Sequence, residues 1–287
     1  MNNGVHTAVL IVSHNTCADL RRCLASLTVS GAAPEEIWVG DNASGDETRE
    51  MLRTEFPDVH TVEFNRNYMY ARAVNALWRM ADPECGLLLN PDTECDYAAL
   101  RKLCVHFDRD PDLAAVTPQL RYADGRVQPS CRHLPDAATP WREAVSSLRR
   151  RRSHWKMAGF DHRVARDVPQ PMFSCIWISR AAWRRVGDLD PAYPLFFNDV
   201  DWCARARRAG LRIHFDPAVA VIHQVGGTTR RYPIRRLWHA HRSFARYLWR
   251  NRRGLPSAAA GVLGVWLTFL VRWPGALLQH QKALRRR

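Results

Sequence analysis

The chain has 287 residues, of which 46% are hydrophobic, enough for one large domain with a buried core and an appendage. Its net charge of +14 is unevenly placed: residues 217–287 carry 13 arginines, one lysine and no acidic residue, whereas the first 216 residues sum to zero. The eight cysteines contain no CxxC pair, which argues against a zinc site or a disulfide framework and favours reduced thiols in a cytosolic protein.

The first 95 residues alternate short apolar runs with helical patterns, and polar residues follow the apolar runs. The periodicity predicts strands over residues 5–12, 37–39, 60–64 and 86–89, and helices over residues 18–27, 47–56 and 70–80. Strands that alternate with helices predict an α/β fold with an open parallel sheet. Ligands bind such sheets at the carboxyl ends of the strands.

The middle of the chain is less regular. It predicts a strand over 116–121, a long polar loop over 124–171 that includes four arginines at 149–152, a strand over 172–178 and a helix over 180–186.

The segment Asp41-Asn42-Ala43-Ser44 directly follows the second predicted strand. One interpretation is a tight turn in which Asp41 caps the next helix, which is common for such residues. The other is a binding site in which the Asp41 carboxylate accepts a hydrogen bond from a pyrimidine N–H. Both interpretations remain open at this point.

The segment Asn90-Pro91-Asp92 follows the fourth predicted strand, whose leucines indicate a buried position. It is either a turn or a place where the Asp92 carboxylate binds a divalent cation that bridges a diphosphate. Hard oxygen ligands suit Mg²⁺ or Mn²⁺. The buried strand before it favours the metal interpretation.

Residues 195–223 place Asn198, Asp199 and Asp201 at the start of a predicted helix, and His223 at the end of a later apolar run. Asn and Asp at a helix start satisfy free N–H groups and suit the helix dipole, so these residues are interpreted first as a cap. The alternative is a catalytic base with a metal-binding histidine downstream.

Four segments together carry a family resemblance: VSHNTCADLRRCLASL at 12–27, VGDNASGDET at 39–48, LLLNPDTE at 87–94 and FFNDVDWCARARRAG at 196–210. Their order and spacing over about residues 5–250 resemble family 2 glycosyltransferases, in particular bacterial rhamnosyltransferases of cell-surface polysaccharide assembly. The resemblance implies the GT-A fold, a Rossmann-like and mostly parallel sheet flanked by helices. It implies a catalytic domain over 1–227, with a nucleotide-sugar half over about 1–95 and an acceptor half over about 96–227.

The resemblance also implies roles for individual residues. Asp199 matches the general base, and Asp92 and His223 match a site for Mg²⁺ or Mn²⁺. The implied donor-binding residues are Ser13, His14, Asn15, Asp41, Asn42, Ser44, Asn75 and Arg205. The implied reaction is an inverting transfer of a sugar, expected to be L-rhamnose, from a dTDP- or UDP-sugar to a hydroxyl of a cell-surface glycan or lipid-linked acceptor.

Two positions depart from the family pattern. Met69 stands where the family commonly has a glycine, and Asn198 stands where it has the first residue of a Glu-Asp pair. We expect the bulkier side chain of Met69 to alter the donor pocket. We also expect the helix start to lower the pKa of Asp199.

Residues 228–287 form a basic, aromatic and partly apolar helical segment. It contains 14 charge-free residues at 258–271 with arginines on both sides, fewer than the roughly 20 that a membrane span needs. We predict an interfacial or re-entrant helix at an anionic membrane surface, the alternative being a helix packed on the core. This places the protein in the cytoplasm, peripherally associated with the inner face of the cell membrane.

Two other classes of function fit part of the sequence. A nucleic-acid-binding protein accounts for the arginines, but not for a neutral α/β body with acidic strand ends, so we expect no nucleic-acid partner. A nucleotidyltransferase needs a glycine-rich basic loop after the first strand, and a dehydrogenase needs GxGxxG there. Residues 12–16 contain no glycine.

Overall fold

The structure is a computed structural model that describes residues 6–149, 153, 155–157, 159–224, 233–252 and 254–284. The predicted domain boundary at 227/228, the arginines at 150–152 and Arg253 lie outside the described residues. The strands are β1 (Thr7–Ser13), β2 (Ile37–Asp41), β3 (His60–Glu63), β4 (Cys85–Leu89), β5 (Thr93–Glu94), β6 (Leu113–Arg121), β7 (Cys131–Arg132), β8 (Arg166–Asp167), β9 (Gln170–Pro171), β10 (Cys175–Ser179) and β11 (Arg212–His223).

Helices cover both faces of the sheet and form the C-terminal end of the described chain. They are α1 (Cys17–Val29), α2 (Thr48–Glu55), α3 (Met69–Ala81), α4 (Tyr97–Arg101), α5 (Val105–Arg109), α6 (Thr139–Leu148), α7 (Arg180–Val186), α8 (Asn198–Arg208), α9 (Pro233–Arg250) and α10 (Leu255–Leu284).

The central sheet has the strand order β3-β2-β1-β4-β10-β6-β11-β5, with β8 paired to β11. Strands β1 to β4 are parallel, as predicted, and β6 pairs in parallel with β11. The sheet is mixed because β10 runs antiparallel between β4 and β6. The α/β fold class with helices on both faces is therefore confirmed, and the carboxyl ends of β1, β2 and β4 meet at one edge.

The core lies on both faces of the sheet because β1 and β4 are buried along their whole length. Alternate residues point to opposite faces, so Ile11 packs toward α1 and α2 whereas Leu10 packs toward α3. Burying each such leucine or isoleucine contributes roughly 1.5–3 kcal/mol. The continuous apolar runs of the sequence correspond to these doubly covered strands.

The predicted loop over 124–171 was wrong in part, because it contains secondary structure. Strands β7 and β9 pair in a small antiparallel sheet of their own, and β8 joins β11. Helix α6 lies between β7 and β8 and has Pro140 in its first turn, a position where proline suits a helix. Each of the three strands has only two residues, too short for a periodic pattern to be visible.

The C-terminal apolar run is part of a longer helix than predicted. Helix α10 has 30 residues, and its section Leu255–Gln281 has a mean hydropathy of 1.5 and is mostly unburied. By length and composition this section is long enough to cross a bilayer, at 1.5 Å per residue. Helix α10 also packs on α9 through aromatic contacts such as that between Trp238 and Trp266, whose ring centroids are 5.5 Å apart.

Candidate active site

Parallel pairing brings the loops after β1 and β2 together, since Ser13 is the register partner of Asp41. The His14 Nδ1 atom lies 2.9 Å from the Asn42 carbonyl oxygen. The Asn15 amide donates to the Ser44 Oγ at 3.0 Å, and the Asn15 side-chain oxygen accepts from the Gly45 amide at 2.7 Å. Six predicted donor-binding residues therefore lie side by side at the mouth of the sheet.

Asp41 is fully buried at the base of this edge. Its Oδ2 atom accepts from the Arg49 Nε at 2.6 Å, and the carboxylate also accepts from the Ser44 amide at 3.2 Å. The turn predicted at Asp41 is thus present in the structure and fixes the loop that carries Ser44. The predicted cap is not, because α2 begins only at Thr48 and Asp41 accepts from the Ser44 amide. Arg49 was not singled out in the sequence, because only the folded turn places it against Asp41.

Three non-glycine residues have left-handed backbone angles here: Asn15 (φ 54°) after β1, Ala43 (φ 58°) after β2 and Met69 (φ 64°) at the start of α3. This conformation costs roughly 1–2 kcal/mol for a residue with a Cβ. Met69 keeps the conformation typical of the glycine that it replaces, and its amide donates to the Asn67 side chain at 2.8 Å. The Met69 departure therefore adds a side chain without removing the left-handed turn.

Asp92 and His223 lie close together because β5 pairs with the end of β11. The Asp92 Oδ1 and His223 Nε2 atoms are 3.4 Å apart. The Gln128 Oε1 lies 2.9 Å from the His223 Nδ1, and as an acceptor it holds the ring proton on Nδ1. That tautomer leaves the Nε2 lone pair directed at Asp92, which is how metal-binding histidines are oriented.

One carboxylate oxygen and one imidazole nitrogen form a donor set that fits Mn²⁺. Within the described ranges, no group of three or more His, Cys, Asp or Glu side chains is placed to hold a metal ion. A cation at Asp92 and His223 therefore needs further oxygen ligands from substrate or water, as is usual for cations that bind substrate phosphates.

Asp199 is the second residue of α8 and is only partly accessible to solvent. Its Oδ2 accepts from the Gln170 Nε2 at 3.0 Å, and its Oδ1 accepts from the Val200 amide at 2.8 Å. Burial raises the pKa of the Asp199 carboxyl, and the attraction of Arg132 offsets only part of this rise. The prediction of a lowered pKa was wrong, because burial outweighs the helix-start effect.

The capping interpretation of residues 198–201 also needs correction. The residue before the helix is Phe197, with φ 69°, and its side chain makes no capping hydrogen bond. Asn198 instead donates to the Leu195 carbonyl at 3.1 Å. Asp201 forms an ion pair with Arg205 at 2.8 Å. Asn198 thus stabilises the turn before α8. It does not supply the first carboxylate of the Glu-Asp pair common in the family.

Two predicted donor-binding residues have structural contacts elsewhere. Arg205 donates through Nε to Asp201, and through its two Nη atoms to the carbonyls of Val186 and Asp188. Asn75 is buried, donates to the Leu189 carbonyl at 2.8 Å and accepts from the Leu189 amide at 3.0 Å. Neither residue is brought to the donor loops, and this geometry argues against the predicted roles.

Arg132 and Gln170 were missed in the sequence. They are register partners in the β7–β9 sheet and together surround Asp199. Buried side-chain atoms without a hydrogen-bond partner in the described part of the chain include Arg132 Nε and Gln170 Oε1. The sequence gives no signal for them, since each lies in a two-residue strand and the residues are far apart along the chain.

A sheet of this order, with polar loops at its carboxyl edge and a carboxylate on the helix beyond it, defines the class of GT-A glycosyltransferases. The mannosyltransferase PcManGT from Pyrobaculum calidifontis, solved in complex with GDP-Man and Mn²⁺, has a similar fold. It matches with a TM-score of 0.57 and 19% identity over 98% of this chain and 74% of that one. At that identity the likeness shows the fold alone.

Residues 8–186 match the model of glycosyl transferase family 2, and the chain belongs to this family. The N-acetylglucosaminyl-diphospho-decaprenol L-rhamnosyltransferase of Mycobacterium tuberculosis is 28% identical over 82% of this chain and 81% of its own length. The low-salt glycan biosynthesis hexosyltransferase Agl10 of Haloferax volcanii is 24% identical over 75% of this chain and 66% of its own length. The predicted family and its enzyme class are confirmed.

The raised pKa of Asp199 predicts a pH-dependent gain in stability for Asp199→Asn. A folded-state pKa above the unfolded value means that the folded protein pays to keep this carboxylate charged. The variant removes that cost, so its free energy of unfolding relative to wild type should increase as pH rises from the ordinary aspartate pKa through the folded one. Chemical denaturation between acidic and neutral pH measures this difference.

Asp201→Asn is the matched control, because Asp201 lies two residues away and is paired with Arg205. Loss of this ion pair should lower the free energy of unfolding at neutral pH by about 1–3 kcal/mol. If Asp199→Asn is less stable than wild type at neutral pH, this would contradict a burial penalty on the charged form of Asp199.

Proposed function

We propose that this enzyme transfers L-rhamnose with inversion from a dTDP- or UDP-sugar to a hydroxyl of a lipid-linked glycan acceptor. The observation that carries the proposal is the position of Asp199: a carboxylate with a raised pKa, fixed by Gln170, at the mouth of the GT-A sheet. The relative from Mycobacterium tuberculosis supports the sugar and the class of acceptor, because its match covers most of both chains.

Asp199 acts as the general base. It accepts the proton of the acceptor hydroxyl as the hydroxyl oxygen bonds to the anomeric carbon, while the bond from that carbon to the diphosphate oxygen breaks on the opposite face. A carboxylate with a raised pKa is a stronger base than an ordinary aspartate. Gln170 holds the Oδ2 atom in one orientation, and the attraction of Arg132 favours the ionised form of the base.

The donor nucleotide occupies the joined loops after β1 and β2. Asp41 and Ser44 shape the turn for the pyrimidine, and His14 and Asn15 border the diphosphate. Asp92 and His223 would hold a divalent cation, as the geometry at Gln128 and the Mn²⁺ in the similarly folded PcManGT support. When bound, the cation supplies positive charge for the leaving diphosphate.

Helices α9 and α10 support the proposal that the protein associates with the inner face of the cell membrane. Helix α10 exposes leucines along its length, and residues 217–287 carry all of the net positive charge. Anionic lipid headgroups attract such basic segments at roughly 1 kcal/mol for each Lys or Arg near the surface. This location suits an acceptor anchored in the lipid phase.

A panel of nucleotide sugars tests the proposed donor. With Mn²⁺ present, dTDP-rhamnose should raise the midpoint of thermal unfolding more than UDP-glucose or GDP-mannose. A ligand at 100 times its dissociation constant stabilises by about 2.7 kcal/mol. The largest shift with GDP-mannose would contradict the proposed donor, and dTDP alone separates recognition of the nucleotide from recognition of the sugar.

Replacement of the base tests the mechanism. Asp199→Asn should lower turnover by about 10²–10⁴ and leave the dissociation constant of the donor within about twofold, since the amide keeps the shape but cannot accept the proton. Rapid-quench kinetics and calorimetry measure the two quantities. Asp201→Asn, assayed below its unfolding temperature, should keep most of its turnover; equal losses in both variants would contradict a specific role for Asp199.

The orientation of His223 by Gln128 tests the cation site. Gln128→Leu removes the acceptor for the Nδ1 proton and should weaken Mn²⁺ binding by about 10–100-fold. Electron paramagnetic resonance of free Mn²⁺, in the presence of dTDP, measures the affinity without turnover.

Two further variants sharpen this measurement. Gln128→Glu should preserve the affinity, because its carboxylate also accepts the proton. Gln119→Leu alters another buried glutamine, which donates to the His162 carbonyl, and should leave Mn²⁺ binding unchanged. If Gln128→Leu binds Mn²⁺ with wild-type affinity, then the hydrogen bond from His223 to Gln128 does not orient His223 as a metal ligand.

A further inference from the structure

Helix α6 carries an exposed apolar stripe that the proposed reaction does not use. Trp141, Val145 and Leu148 are spaced four and three residues apart, which places them on one helix face. Their side chains are 40%, 47% and 85% exposed. A contiguous exposed apolar face on a helix marks a site of interaction, and the stripe ends at the exposed Arg149.

The stripe is continuous with the apolar surface of α10. The Trp141 Nε1 donates to the Ala260 carbonyl at 3.1 Å. A Cβ added at Gly264 would lie 2.8 Å from the Trp141 ring, and one added at Gly261 would lie 2.9 Å from the Ala137 backbone. The two glycines therefore let α10 pack closely against α6 and the residues just before it.

On α10 the exposed leucines lie beside this contact. Leu263, Leu267 and Leu270 follow the same helical spacing and are 56%, 43% and 63% exposed. They face away from α9, which packs on α10 through residues such as Phe269. Trp141 sits at the boundary, partly packed on Gly264 and partly exposed. The α6 stripe and the α10 leucines form one surface, here called the α6–α10 face.

Exposed arginines adjoin both helices of the α6–α10 face. Arg149 is exposed directly after α6. Arg252, between α9 and α10, and Arg272, within α10, are also exposed. An apolar face bordered by arginines is complementary to a bilayer with anionic headgroups, where the leucines enter the acyl region and the guanidinium groups meet phosphate.

Helix α6 is also fastened to the active site. Glu143 on α6 accepts from the Trp155 amide at 3.1 Å, and the Trp155 carbonyl accepts from the His133 amide at 2.9 Å. The Trp155 ring stacks on Phe197 with centroids 5.9 Å apart, and the Arg132 guanidinium lies over it at 5.3 Å. Arg132 and Phe197 in turn adjoin Asp199, so the position of α6 is coupled to the position of the base.

We infer that α6 is a second membrane-contacting element: it docks with α10 on an anionic phospholipid bilayer and thereby turns the Asp199 side of the catalytic domain toward the headgroup of a lipid-linked acceptor. Docking of α6 stands independently of the reaction, whereas its consequence for the acceptor rests on the proposed function. The bilayer, and not a second copy of the chain or another protein, is the occupant that the bordering arginines fit.

Vesicle flotation of the full chain tests the docking. The double variant Val145→Glu/Leu148→Glu should bind vesicles of phosphatidylcholine with phosphatidylglycerol at least about fivefold more weakly than wild type, because two apolar side chains no longer enter the bilayer. Val29→Glu/Met80→Glu is the matched control: it makes the same charge change at two exposed apolar residues of α1 and α3. Equal binding of the two variants would overturn the inference.

Photocrosslinking gives a second readout that does not depend on affinity. The crosslinker p-benzoylphenylalanine at position 148 should form lipid adducts on irradiation with vesicles, and the same group at position 29 should form few. Equal adduct yields at the two positions would overturn the inference. Self-association would also overturn it, if the wild-type chain associates with itself without vesicles and the Val145→Glu/Leu148→Glu variant does not. A second copy would then cover the face.

Activity separates failure of the docking from failure of the proposed reaction. The Val145→Glu/Leu148→Glu variant should transfer sugar to a water-soluble acceptor analogue at the wild-type rate but lose rate on an acceptor embedded in vesicles. Equal loss on both acceptors would overturn the coupling of α6 to a membrane-bound acceptor. Wild-type protein that turns over neither acceptor contradicts the proposed function, while flotation and crosslinking still decide whether α6 docks.

Discussion

The buried carboxylate of Asp199 is the constraint on which the organisation of the site depends. Burial penalises its charged form, and the attraction of Arg132 and the hydrogen bond from Gln170 offset only part of this penalty. Each of these two side chains also keeps a buried polar atom without a hydrogen-bond partner in the described part of the chain. Such an arrangement costs free energy and persists only because the surrounding fold is rigid. The doubly covered strands of the central sheet provide that rigidity, and the same burial that destabilises the charge makes the carboxylate a better base.

Strain in the backbone is concentrated around the same site. Asn15, Ala43, Met69 and Phe197 all have left-handed angles, and they lie on the loops or turn that carry the proposed donor-binding residues and the proposed base. Residues held in this way are typical of functional sites, where surrounding contacts fix an unfavourable conformation. Asn42 illustrates such a contact, because its buried side chain accepts from the Tyr68 amide at 2.8 Å and thereby ties one strained loop to another.

The sequence predicts the parts of the structure whose signals are local. Strands β1 and β4 are continuous apolar runs, and the parallel order of β2, β1 and β4 places Asp41 and Asp92 at one edge. The sequence does not predict the positions of Arg132 and Gln170 beside Asp199, because β7 and β9 have two residues each and meet only in the folded chain. Arg205 was misassigned for a related reason: its partners are an aspartate one helical turn away and two backbone carbonyls that only tertiary structure brings near.

The distribution of charge separates the two substrates of the proposed reaction. The donor is a soluble dianion, yet the loops that would receive it belong to the part of the chain with no net charge. Donor binding must therefore rest on local contacts at the edge of the sheet, and not on long-range attraction, which salt screens beyond about 8–10 Å. The excess of positive charge instead lies in residues 217–287, which include α9 and the apolar helix α10. Attraction to a charged surface and burial of leucines therefore act in the same direction there. Because Trp155 links α6 to Phe197 and Arg132, the helix proposed to meet the membrane also borders the proposed base. This arrangement would let a lipid-linked acceptor reach Asp199 without leaving the bilayer.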